Sequence, residues 1–220
     1  MNSIWQVTYF EIKRSIRDIG DWVTYCMLFV LIVTIVPFGI GNNMELQHVA
    51  VGFLWVGLLI STALTLPLLF QSDVNNGIIE QYVMNHSSCE VFLIGKLLSH
   101  WIISALPMVF LGPILVSMLY VPFPESLQLL ASLAVGSVGI TCLGFTTAAL
   151  MAGNSRAGGL LMLIVLPLFI PILIFGSIAS EKALKGEMFS PEMLLISGLS
   201  LFFAAIALFA TPYLIKRAVE

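Results

Sequence analysis

LFQSDVNNGIIEQYVMNHSS, residues 69–88, is the most polar passage of a chain that is otherwise dense in Leu, Ile, Val and Phe. Where this passage lies decides how the rest must fold. The 220 residues are 59% hydrophobic and 10% charged, with a mean hydropathy of +1.04, whereas a soluble domain carries about 25% charged residues. The chain therefore reads as an all-α integral membrane protein. Apolar runs long enough to cross a bilayer, about 20 residues at about 1.5 Å each, fall at about 22–41, 48–70, 99–120, 126–153, 158–179 and 193–214. They predict six transmembrane helices in one membrane domain, 1–220. No connection is long enough to bury a core of its own, so soluble catalytic machinery must come from another chain. The first apolar run is span-length with no small-residue cleavage site after it, which predicts a retained span rather than a cleaved leader.

Positive residues mark the cytoplasmic side because they resist translocation. Lys13, Arg14 and Arg17 precede the first run, Lys96 lies in the second connection, Arg156 in the fourth, and Lys216 and Arg217 in the tail, against only Lys182 and Lys185 in the fifth connection. Both termini are therefore expected in the cytoplasm, with the polar passage and its continuation, 71–98, on the same side. Residues 3–19 place Ile4, Trp5, Thr8, Ile12, Ile16 and Ile19 near one helical face, as in an amphipathic helix lying on the membrane surface. A basic topology signal that happens to be helical is the plainer alternative. Arg14 with Asp18, and Arg17 with Asp21, have one-turn spacing for ion pairs.

The six runs contain no Asp, Glu, Lys or Arg. An ion-coupled transporter needs ionisable partners at membrane depth, and a charge-selective channel needs charged rings, so both classes are disfavoured. Small residues recur along the fourth run at Ser132, Gly136, Gly144, Ala148 and Ala152, allowing close helix approach, within the bundle or at a subunit interface. Pro107, Pro113, Pro167 and Pro171 predict kinked or broken helices. Cys26, Cys89 and Cys142 show no paired or metal-like spacing. His48 is expected at the outer face and His86 and His100 at the cytoplasmic side, which argues against a shared metal or haem site.

In the polar passage, Asp73, Asn75 and Asn76 lead to Gly77, a turn, after which Ile78, Ile79 and Tyr82 interleave with Glu80 and Gln81. That pattern predicts a short amphipathic helix at the ends of two spans, able to dock on a soluble partner; a solvated linker would have little need of its apolar residues.

FQSDVNNGIIEQ (70–81), GKLLSHWIISALPMVFLGPIL (95–115) and LPLFIPILIFGSIA (166–179), with PFGIG (37–41), occur in that order across the chain. Together they resemble the CcmB family, haem exporter protein B. The resemblance implies an ABC-2-like permease subunit of cytochrome c maturation in the bacterial inner membrane, with no catalytic residues of its own. It implies as partners an ABC ATP-binding subunit, a haem-handling membrane subunit, a small single-span subunit and, indirectly, a periplasmic haem chaperone. ATP would be bound by the partner and haem handled by the complex, with no cofactor held directly by this chain. The chain has no G-x-x-x-x-G-K-[ST] loop: Leu97 follows Gly95-Lys96 and Glu90 stands at the first glycine position. Carried over, the family pattern marks Asp73, Gly77, Glu80 and Gln81, with Ile79 and Tyr82 beside them, as the segment coupling to the ATPase. Ser72 and Asn76 stand where the family often has further charge. A structural subunit that anchors its partners without forming a path is the alternative.

Overall fold

Backbone groups in a bilayer must be satisfied within their own segment, which leaves a chain this apolar little choice but helix. The computed structural model describes residues 4–17, 19–40, 46–66, 68–84, 89–119, 121–152 and 158–219. Their regular structure is α1 (Ile4–Arg17), α2 (Ile19–Ile40), α3 (Leu46–Thr65), α4 (Leu68–Asn75), α5 (Ile78–Met84), α6 (Cys89–His100), a π-helical segment (Trp101–Ala105), α7 (Leu106–Ser117), α8 (Phe123–Ser126), α9 (Leu129–Met151), α10 (Gly158–Leu184) and α11 (Pro191–Val219). No strand occurs among the described residues.

By length and composition, Cys89–Ser117, Phe123–Met151, Leu166–Leu184 and Pro191–Arg217 can each cross a membrane. A fifth span is counted if α1 and Trp22–Ile35, bent 77° apart, are taken together, and the apolar Val49–Thr65 is shorter. Among the described residues the six expected spans are thus not all reached. The second expected span, 48–70, ends as helix at Thr65, and α4 starts at Leu68, with Pro67 between them in sequence. The third, 99–120, starts ten residues early: 89–98, expected in the connection, are the first turns of the span helix.

α9 is the centre of the bundle. Of its apolar window 72% is buried, against 22% for α11, and it packs on α3, α7, α10 and α11. Its small residues meet neighbours from several helices. A Cβ at Gly136 would lie 2.2 Å from the Trp55 ring of α3, one at Gly139 would lie 2.7 Å from Ser200 Oγ of α11, and one at Gly144 would lie 2.6 Å from Leu66. A Cβ at Gly176 of α10 would also meet Trp55, at 2.5 Å. The indole is fully buried in this glycine slot. Its Nε1 donates to Ser180 Oγ at 2.9 Å, and Ser180 is hydrogen-bonded to Ser132 at 2.7 Å, so its polar atom is satisfied within the apolar interior.

The prolines of α7 and α10 do not break their helices. Pro113 lies inside α7, and Pro167 and Pro171 inside α10, with helix continuing through each. Pro107 follows the first residue of α7, immediately after the π-helical segment, where the Leu106 N–H donates to Trp101 O. Proline cannot donate to the preceding turn, and in membrane helices a local π adjustment is one way the freed backbone groups are satisfied again.

Candidate functional site

Gly95 of α6 is where the first helix comes to rest. A Cβ there would lie 2.7 Å from Val7 Cγ1 and 3.2 Å from the Thr8 backbone nitrogen, so only glycine allows this approach without displacement. Val7, Thr8 and Glu11 are the buried residues of α1. Trp5, Tyr9 and Ile16 are exposed and lie on one face at helical spacing, the face suited to a membrane surface. Thr8, expected on that face, is instead on the docked side.

Docking at Gly95 carries Glu11 and Arg14 to its neighbour Lys96, and the last turn of α4 supplies Asp73. Lys96 Nζ is 2.5 Å from Asp73 Oδ2 and 3.1 Å from Glu11 Oε2. Arg14 Nη1 donates to Asp73 Oδ1 at 2.7 Å and its Nη2 donates to Ser72 Oγ at 2.8 Å. Arg14 is also 3.9 Å from Glu11. Two carboxylates and two cations therefore form a neutral cluster joining α1, α4 and α6. Side-chain exposure is 1% for Asp73, 7% for Lys96, 11% for Glu11 and 33% for Arg14. At that burial each ion needs its partners, because an uncompensated charge costs several kcal/mol. The Lys96 ammonium also lies 5.8 Å from the Phe70 ring centroid and 5.7 Å from that of Phe92, within reach of their π-faces.

α4 passes into α5 through Gly77 at φ +68°, a left-handed conformation that glycine adopts without a Cβ penalty. The Gly77 N–H bonds Val74 O at 3.1 Å, and its carbonyl accepts the Gln81 N–H at 3.2 Å, so one residue closes α4 and opens α5. Within α5, Ile79 is 1% exposed and Tyr82 stacks on Phe92 with centroids 4.3 Å apart and planes at 14°. Glu80 and Gln81 are exposed. Since Phe92 lies one turn before Lys96, contacts run without a gap from α5 to the charge cluster.

The segment expected to meet a partner is thus divided. Glu80 and Gln81 face outward, Tyr82 is half-buried, Gly77 makes the turn, and Asp73 and Ile79 face inward. Asp73 is no contact surface in this arrangement: it is the carboxylate that fastens the segment to the bundle. Arg14 pairs with Asp73; Asp18, its expected partner, lies outside the described residues, as does the side chain of Asp21. Glu11 and Lys96 were not expected in the site. The available signal was Lys96 itself, a lone ammonium within the apolar VFLIGKLLSHWI, which requires a counterion.

His100 is buried, with Nε2 3.3 Å from Thr65 Oγ1 and its ring edge-on to Trp22 at 5.6 Å. His86 and the side chain of His48 lie outside the described residues. Among the described residues no three His, Cys, Asp or Glu side chains are placed to hold a metal ion.

A multi-pass, all-helical membrane chain results, whose buried ions among the described residues are gathered at one end of the bundle. The model of the CcmB protein family matches residues 2–218. The chain is 35% identical to heme exporter protein B of Pseudomonas aeruginosa over 211 residues, covering 96% of this chain and 93% of that protein. It is 32% identical to heme exporter protein B of Rhodobacter capsulatus, covering 94% and 95%, and 27% identical to that of Escherichia coli K12, covering 98% and 99%. The chain belongs to the CcmB protein family.

Proposed function

We propose that this chain is the haem-export permease subunit of an ABC-type complex in the bacterial inner membrane, taking mechanical work from a separate ATP-binding subunit. In this reading the charge cluster and both termini are cytoplasmic. Glu80 and Gln81 contact the ATP-binding subunit, while Gly77, Ile79 and Tyr82 shape and seat the helix that presents them. Asp73 works behind that contact, passing displacement of α4 and α5 to α1 and α6 through Arg14 and Lys96. Haem is the cargo of the complex, shared with a haem-handling membrane subunit and a small single-span subunit, and hydrolysis frees the haem-loaded periplasmic chaperone.

The observation that carries this reading is the two-sidedness of α5: a polar outer face of Glu80 and Gln81, and an inner face on which Ile79 is buried and Tyr82 stacks on Phe92, the ring beside Lys96. A solvated linker has no such inner face. Copurification of the full chain with its ATP-binding subunit, comparing the natural sequence with Glu80→Arg, tests it. Reduced association with membrane insertion intact is expected; unchanged association removes Glu80 from the interface.

The anchor reading draws support from Trp55, which fills the space between α3, α9 and α10. The two separate on movement. A spin-label distance between α3 and α10 that changes between nucleotide-free and ATP-trapped complexes marks a permease path, and an unchanged distance marks an anchor.

A further inference from the structure

The hairpin between α10 and α11 lies at the end of the bundle away from the charge cluster. Glu90 and Leu93 at the start of α6 line one cleft with Pro212 near the end of α11, so the start of α11 is at the far end. The hairpin is closed on both sides. The Glu187 N–H bonds Lys182 O at 3.0 Å and the Gly186 N–H bonds Ala183 O at 2.9 Å, with Gly186 at φ +86°, the paired bonds of a glycine-terminated helix. Ser190 Oγ accepts the Met193 N–H at 3.3 Å, Pro191 opens α11, and Lys182 Nζ bridges to Glu192 at 2.7 Å.

Phe189 stands outside this frame, 94% exposed, the most exposed large apolar side chain among the described residues, with Met188 beside it at 46%. The caps on both sides fix the backbone that carries the ring. Its depth is set by α11. The uncharged run Met193–Ile215, centred on a hydrocarbon layer of about 30 Å, places the edge of that layer near Leu194. Ser190 is then roughly 6 Å further out, within the headgroup layer. Leu194 and Leu195 are themselves exposed and continue the apolar surface from Phe189 onto the outer face of α11. Lys185, exposed in the same hairpin, offers a cation at the level of lipid phosphates.

We infer that the Lys185–Ser190 hairpin is a membrane-interface anchor, with Phe189 and Met188 inserted at the boundary between headgroups and acyl chains and Lys185 directed to the phosphates. Such an anchor would hold the α10–α11 corner at fixed depth while the opposite end moves. It is independent of whether α5 meets an ATPase.

The test uses the full chain in vesicles of phosphatidylethanolamine and phosphatidylglycerol, carrying a nitroxide at Phe189→Cys or, as the reference, at Glu187→Cys, with the unsubstituted chain as background. Collision rates are measured with oxygen, which partitions into lipid, and with a water-soluble nickel chelate. The anchor requires oxygen to dominate at position 189 and the chelate at position 187, a reversal of the ratio within one hairpin. Chelate dominance at both sites overturns it by placing the hairpin in water. Exclusion of both reagents from position 189 overturns it equally, because protein then covers the ring.

Discussion

Lys96 Nζ lies 2.5 Å from Asp73 Oδ2 and 3.1 Å from Glu11 Oε2, so one ammonium ion fastens the segment before α5 and the N-terminal helix to the same point on α6. Lys96→Met leaves two buried carboxylates with Arg14 alone to serve them. A loss of about 3–5 kcal/mol is expected, read as a lower Tm in detergent. Combining it with Asp73→Leu removes one stranded charge and should recover part of that loss. Additive losses would show that the two side chains do not act as a pair.

The turn between α4 and α5 depends on Gly77. At φ +68° a residue with a Cβ costs about 1–2 kcal/mol, and a β-branched one more. Gly77→Val should speed hydrogen exchange across Ile78–Met84, while Gly77→Asn should change it less, since asparagine tolerates this conformation. Equal exchange in both variants would mean that α5 is held by its packing alone.

At Gly95 the neighbours are Val7 and the Thr8 backbone, one of which cannot rotate away. Gly95→Leu is expected to lift α1 from α6 and carry Glu11 and Arg14 off the cluster, seen as loss of exchange protection along α1. Protection that persists would place the α1 contact elsewhere.

In the bundle centre, Gly136→Ala and Gly176→Ala each push a methyl into the Trp55 ring, at 2.2 and 2.5 Å from its nearest atoms. Overpacking of this kind costs about 1–3 kcal/mol. Trp55→Phe gives up the bond to Ser180 but shrinks the ring, so the Trp55→Phe, Gly136→Ala double variant should be less destabilised than the sum of the singles. Simple additivity in thermal unfolding would show that the slot is not filled as described.

Much of the helical architecture was legible from the chain, because absence of charge over span-length runs is a local property. The boundaries were less so. Lys96 made residues 89–98 read as a polar connection, yet its charge is neutralised by Asp73 and Glu11, partners remote in sequence. Arg14 was assigned by helical spacing to Asp18, which lies outside the described residues, and spacing gives no sign of Asp73, a carboxylate brought up by tertiary docking. Asp73 illustrates the same limit. Its residue type and its place in a polar passage pointed to an exposed contact, and only the fold shows it turned inward, with Glu80 and Gln81 left to face out.

The central claim, that α5 is where an ATP-binding subunit meets this chain, is tested most directly by a photo-crosslinking residue at Gln81 in the assembled complex, with the same residue at Phe189 as the control. Crosslinking to the ATP-binding subunit from position 81 and none from position 189 is predicted. A complex that hydrolyses ATP yet gives no crosslink from position 81, or one that crosslinks that subunit from position 189, would contradict the account.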